Sequence, residues 1–184
     1  MIKYSYKKLN SEICWMDGNV NLEIERKFII EAPLEKELSE LPGHTESRIR
    51  QIYLDSNAGE TRRIRRREYP DHTVYYETKK IRIDGMSATE IEREIGADEF
   101  AELENQIKSG TSPVNKIRHT FPYEGHTFEI DVYPEWRRSC IMEVELKSRA
   151  EDVKFPPFIK ILREVTGDSA YSNAQMSKRF PGED

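Results

Sequence analysis

The stretch NLEIERKFI, residues 21–29, decides how the rest of the chain reads. As a strand it alternates its side chains between two faces. Glu23, Glu25 and Lys27 share one face, and Leu22, Ile24, Arg26 and Phe28 share the other. The second face is largely apolar and suited to a core. The first sets two carboxylates about 7 Å apart along the strand, followed by a cation. Neighbouring carboxylates repel unless a cation lies between them. A divalent metal is one answer, because Mg2+ and Mn2+ prefer carboxylate oxygens. Water is the other, and for this stretch taken alone it is the simpler one.

Working outward, the same split recurs. Strands are expected at 21–30, 49–55, 60–68, 73–83, 89–95, 115–121, 126–133 and 140–148. In 49–55 Ile52 and Leu54 mark the apolar side, with Gln51 and Tyr53 opposite. In 60–68 Ile64 marks it, with Arg63, Arg65 and Arg67 opposite. In 73–83 Tyr75, Ile81 and Ile83 define it, leaving Thr78, Lys80 and Arg82. Glu90, Glu92 and Glu94 oppose Ile91 and Ile95. Lys116 and Arg118 oppose Ile117 and Phe121. Glu129 and Asp131 oppose Phe128, Ile130 and Val132. Glu143, Glu145 and Lys147 oppose Met142, Val144 and Leu146. Between the strands, Pro33 opens a short helix that Pro42-Gly43 closes, and Asp98 is the expected N-cap of a helix through Lys108. The tail reads as helical. PPFIKILREVTGD has a proline start, an apolar face of Phe158, Ile161, Leu162 and Val165, and Gly167 as its stop, and a last short helix is expected from Ser172 to Arg179. Residues 1–20 read as an extension of unassigned role, with Asp17-Gly18 as a turn.

The charged faces are sorted, some strands nearly all acidic and others all basic. An open antiparallel sheet with one face in water is the plain account of any single strand. The set argues otherwise. Like charges repeated along one strand face are mildly destabilising, and Thr, Ser and Gln are scarce there. Eight strands suffice to close a barrel. A barrel walled with charge cannot be dry, because unpaired buried charge is too costly, so it would be a wet tunnel. Lysines and arginines would hold a polyanion, and carboxylates would hold metal ions bridging to the same oxygens. The fold class expected is therefore α+β, an eight-stranded antiparallel β-barrel with flanking helices, with residues 21–184 as a single domain.

Composition narrows the partners. The chain has 184 residues, 34% charged and 36% hydrophobic, with a net charge of −5. This argues against broad nucleic-acid binding, which needs an excess of basic charge. No apolar run is long enough to span a membrane, and the N-terminus has no apolar segment of signal-peptide type. Cys14 and Cys140 form no CxxC pair, so reduced thiols in a cytoplasmic protein are expected. His44, His72, His119 and His126 lack metal-ligand spacing. Trp15 and Trp136 read as packing or lid residues, and Tyr171 and Asn173 as anchors of the tail. No Walker A loop, HExxH or nucleophile elbow is present.

The ordered motifs resemble the triphosphate tunnel metalloenzymes, or CYTH family. The hallmark ExExK stands as Glu23-Ile24-Glu25-Arg26-Lys27, followed by Phe28. QIYL (51–54), the RxR of Arg63-Ile64-Arg65, TxK at Thr78-Lys79-Lys80, ExE at Glu90-Ile91-Glu92, KxR at Lys116-Ile117-Arg118, FEIDVY (128–133) and MEVEL (142–146) follow in family order. The tail EVTGDSAYSN (164–173) also resembles the family's C-terminal segment. The resemblance implies Mg2+ or Mn2+ held by Glu23, Glu25, Glu143 and Glu145, with Asp131 and Glu92 as weaker candidates. It implies that Lys27, Arg63, Arg65, Lys80, Lys116 and Arg118 bind the triphosphate, and that Glu23, Glu25 and Lys27 serve catalysis. Where many members carry an Arg before the middle ExE, this chain has Ser87-Ala88-Thr89, so one phosphate contact is missing or supplied by Arg82.

The activity this implies is metal-dependent triphosphate hydrolysis, with inorganic triphosphate favoured and the protein a monomer or homodimer. A class IV adenylyl cyclase, a thiamine triphosphatase and a non-catalytic polyphosphate-binding module are the alternatives.

Overall fold

The computed structural model describes residues 19–33 and 35–183. The expected extension therefore lies, up to residue 18, outside the described residues. The strands are β1 (Asn19–Glu31), β2 (Thr45–Leu54), β3 (Glu60–Glu68), β4 (Thr73–Arg82), β5 (Ser87–Glu94), β6 (Val114–Tyr123), β7 (His126–Val132), β8 (Ser139–Glu145) and β9 (Ile161–Glu164). The helices are α1 (Glu35–Ser39), α2 (Ala97–Glu104) and α3 (Asn173–Met176). Every pairing is antiparallel, in the order β5-β4-β3-β2-β6-β7-β8-β1, and β1 returns to β5 to close an eight-stranded barrel.

β1 makes the closure by serving two neighbours in succession. Its first half pairs with β5, from Asn19 opposite Glu92 to Ile24 opposite Ser87. Its second half pairs with β8, from Glu25 opposite Glu145 to Glu31 opposite Ser139. Alternation then sends Glu23, Glu25 and Lys27 into the lumen and Phe28 and Ile30 outward. A slip of one residue would exchange the two sets, so the outer core pins the charged register.

That core lies outside the barrel wall. Phe28, Ile30, Phe121, Phe128, Ile130, Met142 and Val144 form one cluster, covered by Leu38 of α1 and by Phe155 and Phe158 of the tail. Under α2, Ile52, Leu54, Ile64, Ile95 and Phe100 form another. A third cluster uses inward positions. Ile29, Val114 and Ile141 meet Tyr133, Trp136, Val165, Tyr171 and Met176, so one part of the interior is dry and the tail lies against it.

The tail departs from expectation. The helix over PPFIKILREVTGD is absent, and Ile161–Glu164 forms β9 along the edge of β1 that β5 leaves unpaired, with Phe28 opposite Glu164. The physical reason is that Phe158 and Val165 belong to different cores, on the outer wall and at the interior plug. An extended chain reaches both, and an open strand edge rewards it with hydrogen bonds. The final helix is only Asn173–Met176, with Ser172 as its N-cap. α2 is capped by Gly96 rather than Asp98 and ends at Glu104, because the chain turns there to bring Ile107 against Leu54. Ile81 of β4, and Ile83 just beyond its end, are exposed rather than core.

Candidate functional site: the charged barrel lumen

The strands enclose a cavity of about 930 Å3. Of the residues expected to act, Glu23, Glu25, Lys27, Arg63, Arg65, Lys80, Arg82, Glu92, Lys116, Arg118, Glu143 and Glu145 all line it. Asp131 does not; it is fully buried in the wall, held by Lys116 and Arg118. Period-two alternation on eight strands brings together residues more than a hundred positions apart.

On one side the cations are already matched. The register of β1 and β8 sets Lys27 opposite Glu143, with Nζ 2.6 Å from Oε1. Arg118 donates from Nη2 to Glu143 Oε2 at 3.0 Å and from Nε to Asp131 Oδ1 at 2.6 Å, and it also pairs with Glu129. Lys116 pairs with Asp131. Burial opposes charge on every one of these groups, but the partners outweigh it for the acids. Lys27, Arg118 and Lys116 hold the Glu143 carboxyl well below the usual carboxylate range, and Arg118 and Lys116 lower that of Asp131. Lys116 is the exception: burial, then repulsion from Arg118, brings it down to about 8.

The side built on β3 to β5 is less complete. Arg63 reaches both oxygens of Glu90 from Nη2, but at 3.3 Å. Lys80 pairs with Glu23 and stands 3.7 Å from Glu90. Thr78 donates to Glu92 at 2.9 Å. Arg65 has no hydrogen bond or ion pair among the described residues, and the buried Nε atoms of Arg63 and Arg65 are both without an acceptor. Burial, then repulsion from Arg63 and Arg118, lowers the Arg65 guanidinium to about 10. Arg82 sits exposed at the rim, with Nη1 3.4 Å from the carbonyl oxygens of Asp84 and Gly85. Glu94 is exposed and takes no part in lining the lumen.

Three features went unassigned in the sequence. Tyr53 lines the lumen beside Arg63, and its alternation with Ile52 was the available signal. Ser169, Ser172, Asn173 and Gln175 of the tail bound the cavity, and no local pattern pointed there. Close packing fixes this tail: Gly167, at φ 76°, meets the backbone of Gly85, where a Cβ would lie 3.1 Å from the Gly85 Cα. On the outer wall, Glu77 is buried beneath α2, accepting from Arg62 at 2.6 Å and pairing with Arg93, which also pairs with Glu99. The remaining singled-out residues pack. Trp136 is buried and donates to the Pro181 carbonyl at 3.1 Å, Tyr133 donates to Asn173 at 2.9 Å, and His44 and His119 share a hydrogen bond of 3.0 Å.

The lumen's acids bear on metal binding. Among the described residues no three His, Cys, Asp or Glu side chains converge on one point. Glu25 and Glu145 face each other across β1 and β8. Burial, then Glu143, raises the Glu25 carboxyl, and burial, then Glu129 and Glu23, raises that of Glu145. These are hard oxygen donors crowded by like charge, which suits a divalent cation of the Mg2+ type and no soft metal.

A closed antiparallel barrel whose lumen carries matched ion pairs on one side and, on another, Arg65 without an ion pair has the charge and the space to take an anion. The CYTH domain model matches residues 21–179, and the chain belongs to that family. It is 31% identical, over 85% of its length and 93% of the relative's, to an inorganic triphosphatase of Acetivibrio thermocellus. The crystal structure described as that of the inorganic triphosphatase NE1496 superposes with a TM-score of 0.57 at 27% identity, over 87% of this chain and 97% of that one. A Hippeastrum protein, described as a putative adenylyl cyclase with a dominant triphosphatase activity, shares the fold at 18% identity and a TM-score of 0.51, over 68% and 80% of the two chains.

Proposed function

We propose that this protein hydrolyses a triphosphate bound in the barrel lumen, with inorganic triphosphate as its substrate and Mg2+ or Mn2+ as its cofactor. The observation that carries the reading is Arg65, a half-buried guanidinium in the lumen wall whose buried Nε has no acceptor, beside Arg63, whose Nε is likewise without one. A buried donor left so is unfavourable, and a multiply charged oxyanion is a ligand that relieves it. The kinship to two inorganic triphosphatases supports hydrolysis of such an anion.

Arg63, Arg65 and Lys80 would grip the phosphoryl oxygens from one side and Lys27, Lys116 and Arg118 from the other. These fixed charges neutralise the negative charge that spreads over the oxygens in the transition state. Glu23, Glu25, Glu143 and Glu145, aided by Glu92, would hold the divalent ion, and Asp131 would act from behind by fixing Lys116 and Arg118. Held there, such an ion would supply charge neutralisation and would make water more acidic. The protein acts as one domain in the cytoplasm, on a small molecule, without nucleic acid or membrane, as a monomer or homodimer.

Phosphate release from triphosphate with Mg2+ or Mn2+ is the test, run for wild type and Glu23→Gln beside ATP. Release by the wild type and a loss of at least about a hundredfold in the variant are expected. Cyclic AMP from ATP would move the protein to the cyclases, and silence on every substrate would sink the enzyme reading.

A further inference from the structure

β1 loses its strand neighbour along one edge at the stretch where the site is built. Pairing with β5 ends at Ile24, and pairing with β9 begins at Phe28. The N–H groups of Glu25 and Lys27 fall in the gap between them, and each is met by a single acceptor. Glu25 donates to the Met86 carbonyl at 3.1 Å, and Lys27 donates to Oγ1 of Thr166 at 3.0 Å. The Lys27 carbonyl accepts from the Val165 N–H at 2.8 Å. The Thr166 hydroxyl thus replaces a strand at this point. Its one proton has two acceptors in reach, Glu164 Oε1 at 2.7 Å and the Lys27 carbonyl at 3.4 Å. The shorter bond, to a charged oxygen, is the stronger. Donation to Glu164 leaves the lone pairs of the hydroxyl to Lys27. Arg26 fixes Glu164 in turn, donating from Nε at 3.0 Å and from Nη2 at 2.7 Å, and keeps its carboxyl below the ordinary value. The chain of bonds leaves β1 at Arg26 and returns to it at Lys27.

We propose that Thr166, oriented by Glu164 and Arg26, is a positioning residue that fixes the backbone of Lys27 and thereby aims its ammonium at the triphosphate. This rests on the triphosphatase reading and extends it to three residues that do not line the cavity. The reason lies in the lysine. Its ammonium is a point charge on a flexible stem, so the backbone is its rigid support. Nζ stands 2.6 Å from Glu143 Oε1 and 4.0 Å from Glu25 Oε1, and a shift of β1 changes both distances. A misplacement of about 1 Å can cost about a hundredfold in rate. The two acceptors that fill the gap are also tied to each other. Gly85 precedes Met86, Gly167 follows Thr166, and the backbones of the two glycines meet.

The test uses Thr166→Val, which keeps the shape and removes the hydroxyl, and Thr166→Ser, which retains it. Each is assayed for kcat and KM with triphosphate, for Tm, and for affinity for metal-free tripolyphosphate by titration calorimetry. Thr166→Val should lower kcat about tenfold at a temperature well below its Tm, with KM changed less than about fivefold. Its affinity for tripolyphosphate should fall about threefold, and Thr166→Ser should stay near the wild type in both. In a Lys27→Met background, Thr166→Val should leave the affinity unchanged. Wild-type kcat in Thr166→Val, with or without a lower Tm, would overturn the proposal while leaving the triphosphatase reading intact. An equal loss of affinity in both backgrounds would overturn the link to Lys27 and make Thr166 a merely structural residue. If Thr166→Val does not fold, Glu164→Met takes its place, and wild-type kcat there overturns the proposal. A wild type with neither hydrolysis nor tripolyphosphate binding would sink both readings.

Discussion

Arg118 on β6 and Arg65 on β3 are guanidiniums facing the same lumen, yet their surroundings are opposite. Arg118 meets Asp131, Glu129 and Glu143, and Lys116 and Lys27 share those acids. Arg65 has no hydrogen bond or ion pair to an acid among the described residues, and repulsion from Arg63 and Arg118 outweighs the attraction of Glu92 and Glu90. The first is an internally balanced network. The second is a half-buried cation to which the fold gives no ion-pair partner. A network of matched ions holds the barrel wall whether or not a ligand is present, whereas an unmatched cation has most to gain from an incoming anion. The lumen thus separates a wall that is built from a wall that waits.

The sharpest way to break that contrast is to remove an acid from the built wall. Asp131→Ala leaves Lys116 and Arg118 with a buried charge uncompensated, and should cost about 3–5 kcal/mol. Thermal unfolding without ligand would show this as a fall in Tm of roughly 10 °C. A variant melting with the wild type would mean the network adds nothing to the wall.

The opposite outcome is expected at Arg65. Arg65→Met removes an uncompensated charge, so the ligand-free protein should melt no lower than the wild type. Its affinity for tripolyphosphate should fall about tenfold or more, as titration calorimetry without metal would measure. Loss of stability in place of affinity would put Arg65 in the built wall and erase the distinction.

A smaller effect comes with pH. Burial lowers Arg65 to about 10 from an ordinary 12.5. For a base whose folded value is lowered, the charged form opposes folding below about pH 10, and that opposition is relieved as pH rises past it. Anion binding runs the other way, because it needs the charge. From pH 9 upward Lys116, held down to about 8, has already lost its proton. The rise in Tm with metal-free tripolyphosphate should then fade around pH 10 in the wild type, and not in Arg65→Met at saturating ligand. A flat profile to pH 11 would show that Arg65 is matched by a group in the folded protein after all.

Legibility followed the range of the interaction. The inward parity of Lys80 was readable because Ile81 and Ile83 alternate with it, although both isoleucines proved exposed. Tyr53 was placed on the lumen face by the same alternation, but its tie to Gln51 and Arg63 needed the β2–β3 register. The tail misled because Phe158, Ile161, Leu162 and Val165 have helical spacing, while the unpaired edge of β1 that makes β9 favourable exists only once the barrel closes. Glu77 drew no attention because its partners Arg62 and Arg93 come from two other strands.

By itself the sequence determined which side chains face inward on each strand, and hence a lumen sorted into acidic and basic strands, because a period of two is a local property of extended backbone. Only the tertiary structure decided which cation meets which acid. That depends on the register between strands distant in the chain and on β1 turning from β5 to β8 at Glu25, and this is what leaves Arg118 matched and Arg65 open.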